Sequence, residues 1–530
     1  MTGRTAARAA GAAVGAVAVL ALTGGALWAG QALPAPELRP AEASGIALPA
    51  TGSTHVCAPV PVPTTEDTGP ADPDQDEGDR TVRSTTQLHT WAVGDAPVAE
   101  AEWAEGSGAG ESVGLDTVAA GESAIRSLAT ATADPGVLTV APVDEAGATA
   151  PGSGGGAVVV RTDAGDLRGI AAATCQAPAA SAWLVGGSTE LGSTALLSLT
   201  NAGPVPVTAD VTVHTAVGIV DAPALSDVVV PPRSTVQLPV EASVESPAIA
   251  LRVDGRGGRL AASLEDLRTQ GLASAGLDVV TAGTGPAGEV HVPVVEVAPG
   301  GTAAVRLVNP ADEVVTASLD LTTEDGWTPL GGAQDVVLDP GVVLDVPLTG
   351  VAEGVHGVRV RTDGAVAASA VTTQEGASPE GSGDLAVDLA WTAAAEPASS
   401  AVHVLPGGAL GVRSRIAVTN PGEAPTVVTV SDLARPGAAE EIEVTPGSTV
   451  LADAPEGATV VRVATEQADG ARDDAGSDAG GEDGAPDAAD GPGVLSAVLL
   501  DTEVPTGRLV GVLGAVPDAR ESGEIDVLVR

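Results

Sequence analysis

Beyond residue 54, apolar and polar side chains alternate at period two in short runs, broken by Gly, Pro, Asp or Asn about every eight to twelve positions. ALLSLT (195–200), AVRLV (304–308) and RIAVT (415–419) are examples. Successive side chains of an extended chain point to opposite faces, so such runs predict half-buried β-strands. No helical period persists beyond about ten residues in this part of the chain, which predicts an all-β protein.

The alternating runs recur in register. The chain has three asparagines, Asn201, Asn309 and Asn420, which lie 108 and 111 residues apart, and each closes one run. Each is followed within three positions by Pro and then by a second run: PVTADVTV (206–213), VVTASLDL (314–321) and TVVTV (426–430). Asn tolerates the left-handed conformation and bonds its own turn, so a structural role at a strand-turn-strand unit is expected. About thirty residues after each Asn, Pro232, Pro340 and Pro446 form a second anchor in VVVPPRSTV (228–236), VVLDPGVVL (336–344) and IEVTPGSTV (442–450). A third anchor is the Asp-Gly of ALRVDG (250–255) and VRVRTDG (358–364), read as the turn of a hairpin returning through Ala261 to Ser263 and Ala367 to Ser369. Residues 158–175 resemble that ending, which makes a divergent first copy without the Asn.

The expected architecture is therefore a row of tandem immunoglobulin-like β-sandwich modules at 54–178, 179–285, 286–398 and 399–530, each of about seven strands. A propeller has the same strand count, but its blades repeat every forty to fifty residues. Two acidic stretches interrupt the pattern, Glu66 to Asp79 and residues 466–493, and both are read as disordered loops. The second is expected to replace the short turn of a hairpin between VVRVAT (460–465) and VLSAVLL (494–500).

The N-terminus breaks the strand pattern altogether. Arg4 and Arg8 precede an uncharged stretch from Ala9 to Gly30, which as a helix reaches about 33 Å, enough for one bilayer crossing. Residues 1–30 are accordingly a cytoplasmic stub and transmembrane anchor, or a cleaved signal, since Gly30-Gln31-Ala32 has small residues suited to a peptidase. Residues 31–53 form a Pro/Ala linker. Arginines before the span place the bulk of the chain outside the cell membrane, so the membrane is a partner through this helix.

Composition narrows the chemistry. Among 530 residues there are 24 basic and 70 acidic side chains, a net charge of -46, and hydrophobic content of 44% suffices for packed cores. There is no Lys, Phe or Tyr, a bias toward GC-rich codons that marks a GC-rich bacterial genome. Without lysine, P-loop, kinase-type and Schiff-base enzymes are excluded. The acidic surface excludes nucleic acid as a partner.

Cys57 and Cys175 are the two cysteines, both in the exported part, where an oxidising compartment lets them join; two buried thiols are the alternative. Asp72, Asp74 and Asp76 match the start of an EF-hand loop, but Glu77 stands where Gly is needed and Arg83 where a bidentate Glu belongs. Ser112 in GESVG fits the nucleophile-elbow pattern, which chance alone supplies in a Gly-rich chain; a serine hydrolase is a remote alternative. His55, His89, His214, His291, His356 and His403 are scattered singly, without metal-ligand spacing, so no metal, cofactor or catalytic residue is assigned. Trp91, Trp103, Trp183, Trp327 and Trp391 are the large aromatics of the modules and are expected in cores; Trp183 and Trp391, if exposed, would stack on a glycan.

The N-terminal anchor followed by Asn-Pro, Pro-Gly-Ser and Thr-Asp-Gly turns resembles an actinobacterial family of unknown function. Its members are single-anchor extracytoplasmic proteins, some labelled large extracellular alpha-helical protein, a label at odds with the strand period here. Members are often encoded near envelope glycosyltransferases, so the resemblance implies a cell-surface polysaccharide context, with envelope proteins or polysaccharide machinery as partners and no catalytic residues to carry over. The expectation is a non-catalytic, membrane-anchored scaffold or interaction protein of the cell envelope; the alternative is a carbohydrate-binding accessory protein.

Overall fold

A computed structural model describes residues 44–47, 52–61, 82–92, 97–108, 112–120, 123–130, 133, 135–145, 148–150, 152–378, 383–435, 439–465, 493–516 and 524–527. The N-terminal anchor, most of the linker and the acidic stretches at 66–79 and 466–492, including Asp72, Asp74 and Asp76, lie outside them. The described residues are all-β apart from three short 3-10 turns. No helix among them is long and apolar enough to cross a membrane. Ser44–Ala47 and Glu524–Val527 pair antiparallel and belong to a separate small unit; all that follows concerns the unit from Pro49 to Gly523.

The second module shows how the pattern becomes layers. Ser181–Val185, Ile249–Arg256 and Val207–Thr215 build one antiparallel sheet, edged by Gly218–Val220 and Val228–Val230. Ser234–Pro239, Ser193–Asn201, Ala261–Gln270 and Ala273–Thr281 lie side by side in another. The inward members of each alternation, among them Leu184, Leu197, Leu199, Val211, Leu251 and Leu264, form a single core. The same strand order recurs in the third and fourth modules, with cores around Val305, Leu319 and Val360 and around Ile416, Val430 and Val463.

The Asp-Gly anchor is not a hairpin. Ile249–Arg256 and Ala261–Gln270 belong to different sheets, and in the third module one strand, Gly354–Glu375, pairs with Val315–Thr323 through its first half and with Gly301–Val308 through its second. The Asp-Gly positions are corners at which the chain crosses the core from one sheet to the other. Likewise Val460–Thr465 and Leu495–Val504 lie in different sheets, so the hairpin expected there is also corrected.

Nor do the modules string out in a row. Trp91, Ile125, Val159 and Ile170 of the first module share one core with Val404, Leu410, Val461 and Val498 of the fourth. Trp183 and Val185 of the second pack on Val308 and Val343 of the third, and Val294 and Ala390 of the third pack on Ala417 and Leu499 of the fourth. Val56 and Val137 of the first meet Ala261 of the second. Contacts that run head to tail either grow a filament or close, and here the fourth returns to the first.

At the centre of this closure stand the last strands of the four modules: β1 (Gly169–Thr174), β2 (Ala273–Thr281), β3 (Val387–Ala393) and β4 (Gly507–Leu513). Each packs beside the next, and β4 beside β1. Small residues allow the approach: a Cβ on Gly511 would stand 2.7 Å from Cγ2 of Ile170, whereas one on Gly514, just past β4, would meet nothing. Gly511→Val is therefore expected to overpack the seam and lower stability by about 1–3 kcal/mol, with Gly514→Val near neutral in the same urea titration. Equal midpoints for the two variants would show that the seam is not tightly closed.

Candidate functional site

β1 and β4 are edges of their sheets, and β2 and β3 pair with each other in parallel only at Ala275 and Val387, so N–H groups along all four strands lack a full ladder partner. Asp278 on β2 and Asp388 on β3, both fully buried, supply acceptors. Asp278 accepts the Ala172 N–H of β1 on Oδ1 (3.2 Å) and the Trp391 N–H of β3 on Oδ2 (2.7 Å). Asp388 accepts the Ile170 and Val510 N–H groups of β1 and β4 on Oδ2 (3.3 and 2.8 Å) and its neighbour Leu389 on Oδ1 (3.0 Å). Two carboxylates thus join strands from all four modules. Gly169 leaves the room that a side chain there would take from Asp388.

Cations complete the junction. Arg168, just before β1 and 2% exposed, donates to the Thr506 hydroxyl (2.9 Å) and to the Thr506 and Arg508 carbonyls (3.0 and 3.2 Å) of the fourth module. Arg306 forms a bidentate pair with Asp345 (2.7 and 2.8 Å) and donates to the carbonyls of Gly187 and Ile249 across the boundary between the second and third modules. Its guanidinium lies 4.8 Å from the Trp391 ring, whose Nε1 donates to Asp266 (2.8 Å). Between the third and fourth modules, Glu296 receives Arg508 (2.9 Å) and Arg415 (3.2 Å), and Arg415 also binds Asp501. A buried charge is tolerated when paired and hydrogen-bonded, as Arg306, Arg415 and Arg508 are with carboxylates, whereas Arg168 is held by a hydroxyl and two carbonyls; each of these cations bridges parts of the fold.

Burial sets the titration of the interior. It raises Asp388 to about 7 against its three N–H donors and the Arg168 charge, and raises Asp278 well above the usual carboxylate range. Burial lowers the Arg168 guanidinium, with Asp388 opposing. His55, His89 and His403 are lowered by burial to about 4.

Residues singled out from the sequence fall as follows. Cys57 and Cys175 form a disulfide that ties the first strand of module one to the residue after β1. Asn201, Asn309 and Asn420 make matching bonds. Each donates from Nδ2 to the carbonyl four residues on (Val205, Glu313, Ala424) and to the end of the next edge strand (Val230, Leu338, Val444), and accepts the N–H two residues on at Oδ1. Pro232, Pro340 and Pro446 open the turns after those edge strands, and the residue following each, Arg233, Gly341 or Gly447, is left-handed. Trp183 and Trp391 are 6% and 5% exposed, so neither ring offers a face to a sugar and the glycan-stacking assignment is corrected. Ser112 opens a three-residue exposed strand, donates to Glu102 (3.0 Å) and leads into another strand rather than a helix, so no nucleophile elbow forms. Among the described residues no group of His, Cys, Asp and Glu could hold a metal.

A comparison with protein families matches residues 128–455 to one described as Family of unknown function (DUF5719). No curated protein and no solved structure matches the chain.

Asp278→Ala strips the acceptors from two buried N–H groups and is expected to cost about 2–6 kcal/mol, read as a lower urea midpoint. A shift of a few tenths would show that the carboxylate carries little. The three histidines titrate at 6.5 when unfolded and about 4 when folded, so their contribution is complete above pH 6.5 and is lost as pH falls toward 4. Asp388 and Glu265, raised by burial to about 7, and Asp278, raised well above the usual carboxylate range, run the other way: their contributions are present at low pH and lost as pH rises. A single imidazole is therefore read by substitution: from pH 6.5 to 5, His403→Gln should gain about 2 kcal/mol relative to the unaltered chain in urea titrations. A difference that stays constant over that range would contradict the burial of a neutral imidazole at 403.

Proposed function

The chain belongs to DUF5719, a family of unknown function, and we propose that it is a non-catalytic, membrane-anchored scaffold of the bacterial cell envelope, built of immunoglobulin-like modules outside the membrane. The observation that carries this reading is the central junction. Of the charges no more than 2% exposed, Asp266, Asp278, Asp388, Arg168 and Arg306 each join one module to another, while Asp320 and Asp432 pair within their own. A fold that commits most of its charged interior to fixing four modules against each other is suited to holding surfaces at set distances, as a docking platform does.

Two further features support the location. The uncharged stretch from Ala9 to Gly30 is long enough for one crossing, and a disulfide suits an oxidising compartment. A glycan-binding role through Trp183 and Trp391 has lost its residues to the interior.

The test is fractionation of cells that express the full chain, with protease added outside. Expected are extraction by detergent but not by alkaline carbonate, digestion of the modules from the outer side, and no free thiol after alkylation. Replacing Val17, Val19 and Leu20 by Asp should abolish membrane retention. A full chain recovered from the cytosol with both thiols reduced would overturn the proposal.

A further inference from the structure

The turns that lead into the four central strands all lie at one end of the junction and hold one another. The Thr506 hydroxyl donates to the Asp163 carbonyl (2.7 Å), and Ala377 N–H donates to the Thr506 carbonyl (2.8 Å). Gln270 Nε2 donates to Asp384 (3.2 Å), and Thr269 N–H donates to Gly192 (2.7 Å), which joins the 190–193 turn to the group. From this linked set project Leu191, Leu272 and Leu385, which are 99%, 65% and 46% exposed. A single exposed leucine is ordinary, whereas three on turns hydrogen-bonded to one another make a patch.

Charge narrows the occupant. Glu190, Asp166 and Glu503, beside the leucines or on the neighbouring turns, are exposed. A second copy of a chain with net charge -46 would bring like charge to like.

We propose that this end is a docking surface for a partner protein that presents an apolar socket rimmed by arginine or lysine, with Leu191, Leu272 and Leu385 as its anchors. The proposal rests on the scaffold reading and names the surface through which the scaffold works. The leucines supply the desolvated centre of the contact and the carboxylates steer the basic rim.

The experiment places p-benzoylphenylalanine at Leu191, at Leu272 or, as a control, at the exposed Val229 of the outer edge strand, in cells expressing the full chain. Irradiation is expected to give one shared adduct with a basic protein from positions 191 and 272 and none from 229. The yield should fall at least tenfold on adding Leu385→Asp, a change to an exposed side chain that leaves the urea midpoint unmoved, and several-fold when envelopes are irradiated in high salt. No adduct, the same adduct from 229, an adduct with lipid or an adduct between two copies of the chain would each overturn the proposal. Fractionation of the same cells separates the two readings, since a crosslinking failure in chain that remains with the membrane counts against the docking surface alone.

Discussion

Four strands with incomplete ladders meet in the middle of this protein, two of them sheet edges and two joined to each other at a single pair, and the fold turns on how their hydrogen-bonding groups are satisfied. An edge N–H that faces water needs nothing from the fold, but one buried against another module must find an acceptor. Asp278 and Asp388 provide those acceptors from β2 and β3, reaching β1 on one side and β3 or β4 on the other. The carboxylates do what a ladder strand would otherwise do, with the added reach of a side chain. They convert the exposed edge, a liability of β-sheet modules, into the place where the modules lock.

Other features follow from that arrangement. Side-chain bridges need the backbones close, which is why Gly169, Ala171, Ala172 and Gly511 line the seam. Closeness excludes water, and the same dryness that strengthens each N–H contact raises the carboxyls and lowers the imidazoles. Arg168, Arg306 and the Glu296 network then fix the relative rotation of neighbouring modules. Arginine suits these sites because its planar fork serves a carboxylate and several carbonyls together. With no lysine in the chain, every such bridge falls to arginine.

Much of this was legible in the sequence at the level of strands. Period-two alternation located the elements, and the three asparagines marked turns that share three equivalent hydrogen bonds each. Period two states that a residue faces inward without stating which sheet it belongs to, and so the Asp-Gly corners at 254–255 and 363–364 read as hairpins. Closure of the fourth module on the first depends on surface shape, for which a local pattern carries no signal. The junction itself left a faint trace: Asp278 in GLDVV and Asp388 in AVDLAW are single acids within apolar runs, at positions that the alternation would give to the core. A buried acid in an apolar strand is costly enough to demand a partner, and that cost was the available clue. The leucine patch left none, since exposure at a turn tip is not encoded in alternation.

The central claim is that the two carboxylates satisfy edge N–H groups across modules, and amide hydrogen exchange reads it directly. In the unaltered chain the Ala172, Ile170, Trp391 and Val510 amides should exchange as slowly as the slowest core amides, through global opening alone. In Asp278→Ala, Ala172 and Trp391 should exchange many-fold faster while Val510, held by Asp388, remains protected. Fast exchange at all four in the unaltered chain, or equal protection with and without Asp278, would contradict the account.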